Sequence, residues 1–567
     1  MVQFASPLGA APEPSSPPDL ILYNATVVRV DPPGATARSV AVREDRIVFV
    51  GSDDRALALR GPRTRVVDLK GATIIPGLID AHGHISSLGS ALGQVDAVGT
   101  RSAEEIASRV REAARTAQPD EWILGRGWDQ NDWANQDFPT KHVLDEAAPR
   151  NPVALSRIDG HALWVSSSAL SAAGITAQTR DPDGGAIHRD AQGAPTGILV
   201  DNAMGLLRSK IPEPTRARTK EALLRAMNRC LDSGLTGVHD AGISDEEAGI
   251  YEELAAEGSL PIRVYAMLGG NSRSIGRALE RPPLTTQASR SAVSGGFLAI
   301  RAIKLGIDGA LGSRGAAMLE DYSDSPGNRG LLTRTPSEIE RIAKEAVRKG
   351  YQVCIHAIGD RGNRLALDAL ESALKSAPPG DHRFRIEHAQ VLALSDIRRF
   401  KAAGIIPSMQ PTHCTSDMPW AETRVGPERI KGAYAWRQIL ESGVRIPGGS
   451  DFPVESENPF LGLYAAVTRQ DVSGWPAGGW RSEERMTREE ALRSFTMDAA
   501  YAGFAEADLG SVSEGKKADL LILERNPLTA DVSDIPKMRP LAILVNGRVA
   551  RSSPAFGNEL PVATGRP

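Results

Sequence analysis

The chain has 567 residues, 41% hydrophobic and 24% charged, an ordinary globular composition and a length beyond one small core. The formal net charge is −4 and no basic run is present, which removes the electrostatic case for nucleic acid or an anionic membrane surface. No apolar run approaches the roughly 20 residues that span a bilayer, and Cys230, Cys354 and Cys414 are too scattered for a disulfide framework or a thiolate metal site.

Residues 1–19 are rich in Pro, Ser and Ala and lack Lys and Arg, so they carry neither the basic nor the apolar region of an intact secretory signal. We expect a disordered leader there, which is also what a processed signal would leave behind. Scattered cysteines fit a reducing compartment, so a cytoplasmic location is expected, with a processed periplasmic or secreted form as the alternative. Residues 20–75 read as short β-branched strands, such as "DLILYNATVVRV" and "SVAVREDRIVFVG", broken by Pro, Gly and Asp turns. Residues 506–555 repeat that style in "KKADLLILE" and "LAILVNGRVA", the latter with an Asn-Gly hairpin turn. The two ends are expected to build one β-sandwich, followed by a tail over 556–567.

Between them, residues 76–505 alternate strand and helix. Eight apolar segments read as strands: "TIIPGLIDAHGH", "LTGVHDAG", "PIRVYAML", "LAIRAIKLGIDG", "YQVCIHAIGD", "RFRIEHAQ", "GIIPSMQP" and "VRIPGGSD". Helical patterns separate most of them, as in "PSEIERIAKEAVRKG", opened by Pro-Ser and closed by Gly. The expected fold class is therefore α/β, a (β/α)8 barrel. An insertion over about residues 95–215, between the first and second strands, falls at a strand-to-helix loop and is expected to cap the barrel mouth. No internal repeat, GxxxxGK[ST] loop or GxGxxG turn is present.

Chemistry-bearing residues gather at the ends of these strands. His82 and His84 end the first, Lys304 lies in the fourth, His356 ends the fifth, His388 the sixth and Asp451 the eighth. In a barrel those ends share one mouth, and residues i and i+2 of a strand share a face. Imidazole and carboxylate suit a divalent metal. A single such histidine is usually packing or rim; the set is hard to read as packing, because buried imidazoles and a carboxylate need partners. Lys304 would be costly as an isolated buried ammonium. It either snorkels or pairs with an acid, or its amine, with a lowered pKa, takes up carbon dioxide to form an anionic carbamate able to bridge two metals. Trp128, Asp129 and His161 lie on the insertion and are candidate substrate contacts, with a packing role as the alternative for Trp128. His239, at the end of the second strand, is expected to support the site, touch substrate or simply pack. His413 follows the seventh strand as a candidate substrate or oxyanion contact. Arg314, after the fourth, would bind an anionic substrate group or a rim acid.

The segments "PGLIDAHGHI", "IKLGIDGALGSR", "IHAIGDRGN", "RIEHAQVL" and "GGSDFPVESENP" resemble the amidohydrolase superfamily, and within it amidohydrolase family 3, in the branch that includes N-substituted formamide deformylase. "GRGWDQNDW", "RIDGHALW", "SMQPTHCTSDMPW" and "GSVSEGKKADLLIL" resemble the same branch, so the likeness spans about residues 20–550. It implies that His82 and His84 hold a buried metal with Asp451, that carboxylated Lys304 bridges, and that His356 and His388 hold a second ion. Two divalent ions are implied, with zinc the default for N and O ligands, and a homodimer. The expected reaction is hydrolysis of a C–N bond in a small amide, N-acyl or N-formyl substrate. Metal would acidify the attacking water, and Asp451 would shuttle its proton to the leaving nitrogen. The alternatives are a mononuclear deaminase or cyclic C–N hydrolase on the same scaffold and, more remotely, a non-catalytic binding protein.

Overall fold

A computed structural model describes residues 16–562 except 131–132, 158–161, 183–184, 271–274, 278, 286–295, 313, 555 and 558. The chain forms two compact units, Met1–Ile85 with Met227–Pro567, and Ser86–Ala226.

In the larger unit seven parallel strands pair in chain order: Leu78–Gly83, Leu235–Ile243, Arg263–Leu268, Leu298–Gly306, Gln352–Ala357, Arg385–His388 and Ile406–Ser408. Nearly all their residues are buried, which is why they read as continuous apolar runs rather than alternating ones. Helices return the chain between strands. Pro336–Arg348 has Thr335 accepting from Glu338 N–H and Pro336 in its first turn; Leu394–Ala403 stops at Gly404, in the left-handed region at φ 63°.

The eighth expected strand is not a regular one. Pro447–Phe452 nevertheless hydrogen-bonds both edges of the sheet. Met409 N–H donates to Pro447 (3.1 Å) and Gly449 N–H to Met409 (3.1 Å) on one side; on the other, Ala81 N–H donates to Gly448 (2.9 Å), Asp451 N–H to His82 (2.7 Å) and His84 N–H to Phe452 (2.8 Å). The segment closes the ring. Pro447 has no N–H to give a ladder, and Asp451 sits at φ 60°, so regular pairing cannot continue through it. The first expected strand is also two. Thr73–Pro76 joins a peripheral sheet, and only Leu78–Gly83 belongs to the barrel.

Both termini build the β-sandwich. One sheet runs Arg46–Gly51, Ser39–Arg43, Leu20–Tyr23, Arg65–Asp68; the other runs Arg548–Ser552, Pro540–Val545, Leu520–Leu523, Thr73–Pro76, Thr26–Val28, Thr36–Ala37. A shared core joins Leu22, Val40 and Val67 of the first to Val27, Ile74, Leu520 and Leu544 of the second. The hairpin at Asn546–Gly547 has both residues at positive φ, 53° and 78°.

The smaller unit has its own six-stranded sheet, ordered Gly185–Arg189, Pro195–Asp201, Ala162–Val165, Val153–Arg157, Ile123–Trp128, Val95–Asp96. Helix Ala103–Thr116, capped by Ser102, places Ile106, Ala107 and Val110 on that sheet's core with Val153, Leu155 and Trp164. The unit starts earlier and ends later than the expected 95–215, because helical segments on either side of the sheet belong to it. Among the described residues no helix is long and apolar enough to cross a membrane.

Candidate metal centre

Seven of the expected groups meet around the closing segment of the barrel. Asp451 Oδ1 lies 3.0 Å from His84 Nε2 and 3.5 Å from His82 Nε2, and its Oδ2 lies 3.6 Å from His413 Nε2. Lys304 Nζ stands 3.1 Å from His82 Nε2. Ring centroids of His82 and His388 are 4.9 Å apart, and His388 is stacked on His413 at 5.8 Å. His356 joins from the next strand, its ring 4.6 Å from that of His388. Candidate donor atoms of His82, His84 and Asp451 fall within 4.8 Å of one another, as do those of His388, His413 and Asp451.

Local backbone geometry explains how neighbouring residues reach one point. In Arg385–His388, Arg385 and Glu387 share a face and His388 belongs to the other. His388 and Ala389 are both in the left-handed region, at φ 72° and 44°, and this breaks the alternation at the strand end. Gly83 lets the first strand and the closing segment approach: a Cβ there would run into the ring of Phe452. Gly449 has the matching role, since a Cβ there would meet His82 N at 2.6 Å and Asp80 Oδ1 at 2.8 Å.

A layer of buried polar groups orients the imidazoles. His82 Nδ1 is 2.5 Å from Glu387 Oε2, so it donates its proton there and turns Nε2 toward Asp451. His388 Nδ1 is 2.8 Å from Gln410 Oε1, which frees its Nε2 in the same way. Arg385, fully buried, forms an ion pair with Glu387 (Nε to Oε1, 2.7 Å) and donates a terminal N–H to Glu387 Oε2 (2.9 Å), to Ala81 O (2.7 Å) and to Ser408 Oγ (2.8 Å). Asp80 accepts from His82 N–H (2.9 Å) and the Ser450 hydroxyl (2.7 Å), tying the first strand to the closing segment. Asp308 accepts backbone N–H groups of Ala317, Ile358 and Gly359 and lies 3.6 Å from His356 Nε2.

The protonation states follow from burial and neighbours. Burial, with the Lys304 charge adding to it, lowers His82 to about 4 and His356 to about 3, so both imidazoles are neutral at pH 7. Burial would raise Asp451, but the close approach of His84 Nε2, 3.0 Å from Oδ1, and the charges of His82, His388 and His413 hold its carboxyl well below the usual range. Burial lowers Lys304 and favours the free amine. Among the described residues, three buried polar atoms around Asp451 have no hydrogen-bond partner: His356 Nε2, His413 Nε2 and Asp451 Oδ1. Unsatisfied buried acceptors converging with neutral imidazoles are what a bound cation would satisfy. The residues present therefore fit a divalent metal.

The remaining candidates lie elsewhere. Trp128 is a core residue of the smaller unit, fully buried, its indole N–H donating to Leu155 O (2.8 Å). Asp129 pairs with Arg157 at 2.5 Å. His161 falls outside the described residues. His239 sits mid-strand rather than at a strand end, because the strand runs on to Ile243. It is buried on Tyr265, with Nδ1 2.9 Å from Arg385, and burial together with the Arg385 charge holds its pKa well down. It braces the polar layer. Arg314 makes a two-pronged bond to Asp324 (3.0 and 2.8 Å), the rim acid of the two partners considered. Sequence reasoning missed Glu387, Arg385, Asp80, Asp308 and Gln410. A signal for the first three was present: each is a charge inside an apolar barrel strand, the pattern that drew attention to Lys304.

Comparison with known proteins points the same way. The profile described as "Amidohydrolase family" matches residues 65–551. The protein LONG AFTER FAR-RED 3 of Arabidopsis thaliana is 36% identical, the match covering 94% of this chain and 91% of that one. N-substituted formamide deformylase of Arthrobacter pascens is 30% identical over 93% and 97%. The crystal structure of an uncharacterized metal-dependent hydrolase from Pyrococcus furiosus is 29% identical, superposes with a TM-score of 0.74, and is covered in full by 90% of this chain.

Proposed function

The chain belongs to the amidohydrolase family, and from that premise we propose that this metal-dependent hydrolase cleaves the C–N bond of a small amide, N-acyl or N-formyl substrate. The observation that carries the reading is Asp451: a buried carboxylate with one oxygen that has no hydrogen-bond partner among the described residues, facing the imidazoles of His82, His84 and His413, with Lys304 Nζ beside His82. The relative named N-substituted formamide deformylase acts, by its name, on the substrate class proposed here.

His82, His84, Lys304, His356, His388 and Asp451 would hold the metal, with His413 within reach of Asp451. A bound divalent ion lowers the pKa of water and polarises a carbonyl oxygen. Asp451 accepts the proton of the attacking water as the C–O bond forms, then gives it to the departing nitrogen as the C–N bond breaks. Glu387 and Gln410 keep the protons of His82 and His388 on Nδ1, which leaves both Nε2 atoms as acceptors. The test is a screen of N-formyl, N-acyl and aryl amides with metal-stripped and metal-reconstituted protein. Amide hydrolysis that vanishes on stripping and returns with zinc is expected. Hydrolysis confined to esters, or absent from every amide tried, would overturn the proposal.

Two metals and a carbamate on Lys304 complete this reading. The free amine, favoured by burial, adds to carbon dioxide; an N–C bond forms, one amine proton leaves to solvent, and two oxygen donors result. Native mass spectrometry should find one added CO2 per chain, with two metals bound and occupancy rising with bicarbonate. An unmodified Lys304 and one metal per chain in fully active enzyme would instead support the mononuclear alternative.

A further inference from the structure

A series of guanidinium groups and aromatic rings crosses the N-terminal side of the barrel strands, away from the histidines. Arg445 lies on the Tyr501 ring (4.4 Å to the centroid), Arg383 on both Tyr501 (3.9 Å) and Phe504 (4.6 Å), and Arg301 on Phe504 (3.5 Å). Two of these cations are compensated. Arg445 has Asp498 at 3.6 Å; Arg383 has Glu506 at 2.7 Å and Asp381 at 2.7 Å. Arg301 differs. It has no carboxylate partner among the described residues, and its buried Nε has no hydrogen-bond acceptor.

Arg301 lines a cavity of about 280 Å³ together with Arg348, Tyr351, Gly380, Asp381 and His382. The Arg348 Nε donates to Lys344 O (3.1 Å), and no acid pairs with it among the described residues. Asp381 is the acid on this wall, and its carboxylate is engaged by Arg383 Nε (2.7 Å). His382 is tied back to Pro378 O (2.8 Å). The cavity therefore joins two uncompensated guanidiniums beside one carboxylate that is already neutralised. A guanidinium does not lose its proton in a protein, so its charge is balanced by an anion rather than by titration. Its forked N–H groups match an oxyanion with two adjacent oxygens.

We propose that this cavity is an oxyanion-binding site, separate from the metal centre, in which Arg301 and Arg348 hold a phosphate or carboxylate group. An occupant would give the Arg301 guanidinium a counter-charge and, through the stack of Arg301 on Phe504, fix that ring across the barrel floor; Arg301 lies three residues before Lys304 on the same strand.

The experiment is thermal unfolding of the metal-loaded enzyme against inorganic phosphate, and in parallel against acetate, at constant ionic strength held with chloride. The melting temperature should rise to a plateau in at least one arm, and the arm that saturates at lower concentration identifies the preferred oxyanion. Arg348→Gln, on an exposed side chain, should weaken that response by about tenfold or more, as loss of one charge-assisted contact does. Arg301→Gln should remove it. If Arg301→Gln does not fold, Arg348→Gln decides. No rise in either arm, or a rise that Arg348→Gln leaves unchanged, overturns the site; the latter would place the anion at the barrel mouth or in bulk solution.

Discussion

Asp451→Asn should lower kcat by about 10²–10⁴-fold, the usual contribution of a positioned acid–base group, while much of the bound metal remains. The substitution is close to isosteric and keeps one oxygen facing His82 and His84. It also suits the backbone: Asp451 is at φ 60°, and Asn is among the few side chains that adopt that region readily. What it removes is the capacity to take a proton and return it. In the proposed mechanism that capacity acts in the transition state, so kcat and kcat/KM should fall together with KM little changed. Metal content by elemental analysis separates this outcome from simple loss of the ion. A variant with near wild-type turnover and full metal would end the proton-shuttle role.

Glu387→Gln should be the most destabilising change of its size in the barrel, by about 3–5 kcal/mol, because it leaves a buried cation unpaired. Arg385 and Glu387 are both fully buried, and the carboxylate is held well below its usual pKa; burial opposes that shift, and the charges of Arg385 and His82 overcome it. A depressed folded-state pKa means that the stabilisation is complete above the ordinary glutamate range and is lost as pH falls through the lower, folded value. The variant should therefore differ most from the parent at neutral pH and converge with it in acid. Loss of the His82 Nδ1 acceptor should also weaken metal binding by about 10–100-fold, as is typical when the group behind a ligating imidazole is changed. Urea unfolding at neutral and acid pH, with a competitive chelator titration, reads both effects. An unchanged urea midpoint at pH 7 would show that Arg385 is satisfied without the carboxylate.

Much of this architecture was legible in the residues. Barrel strands buried on both faces appear as unbroken apolar runs, so the polar exceptions at their ends stand out; that is how His82, His84, Lys304, His356, His388 and Asp451 were found. The carboxylates behind the histidines were passed over for a physical reason. Glu387 adjoins His388, and strict alternation would put the two on opposite faces; the positive φ at His388 and Ala389 that reunites them leaves no mark in composition. The split at Gly77 was hidden because strands of the sandwich and of the barrel are equally apolar. Trp128 and Arg314 show the opposite case, in which the plainer of two readings fits the contacts. A conspicuous side chain on a loop or insertion attracts a functional reading, yet hydrophobic burial in one case and a nearby acid in the other account for both.

The ring is closed by Pro447–Phe452, and the sandwich is closed when Leu520–Leu523 lies beside Thr73–Pro76. Chains are synthesised from the N-terminus and tend to fold as they emerge. The strand bearing His82 therefore waits, one edge unpaired, until most of the polypeptide has left the ribosome. A nascent or truncated chain that ends before Asp451 holds several histidines but neither the carboxylate nor the closed wall that positions it. Such a chain is expected to be inactive, and its open edges make it a natural client for chaperones.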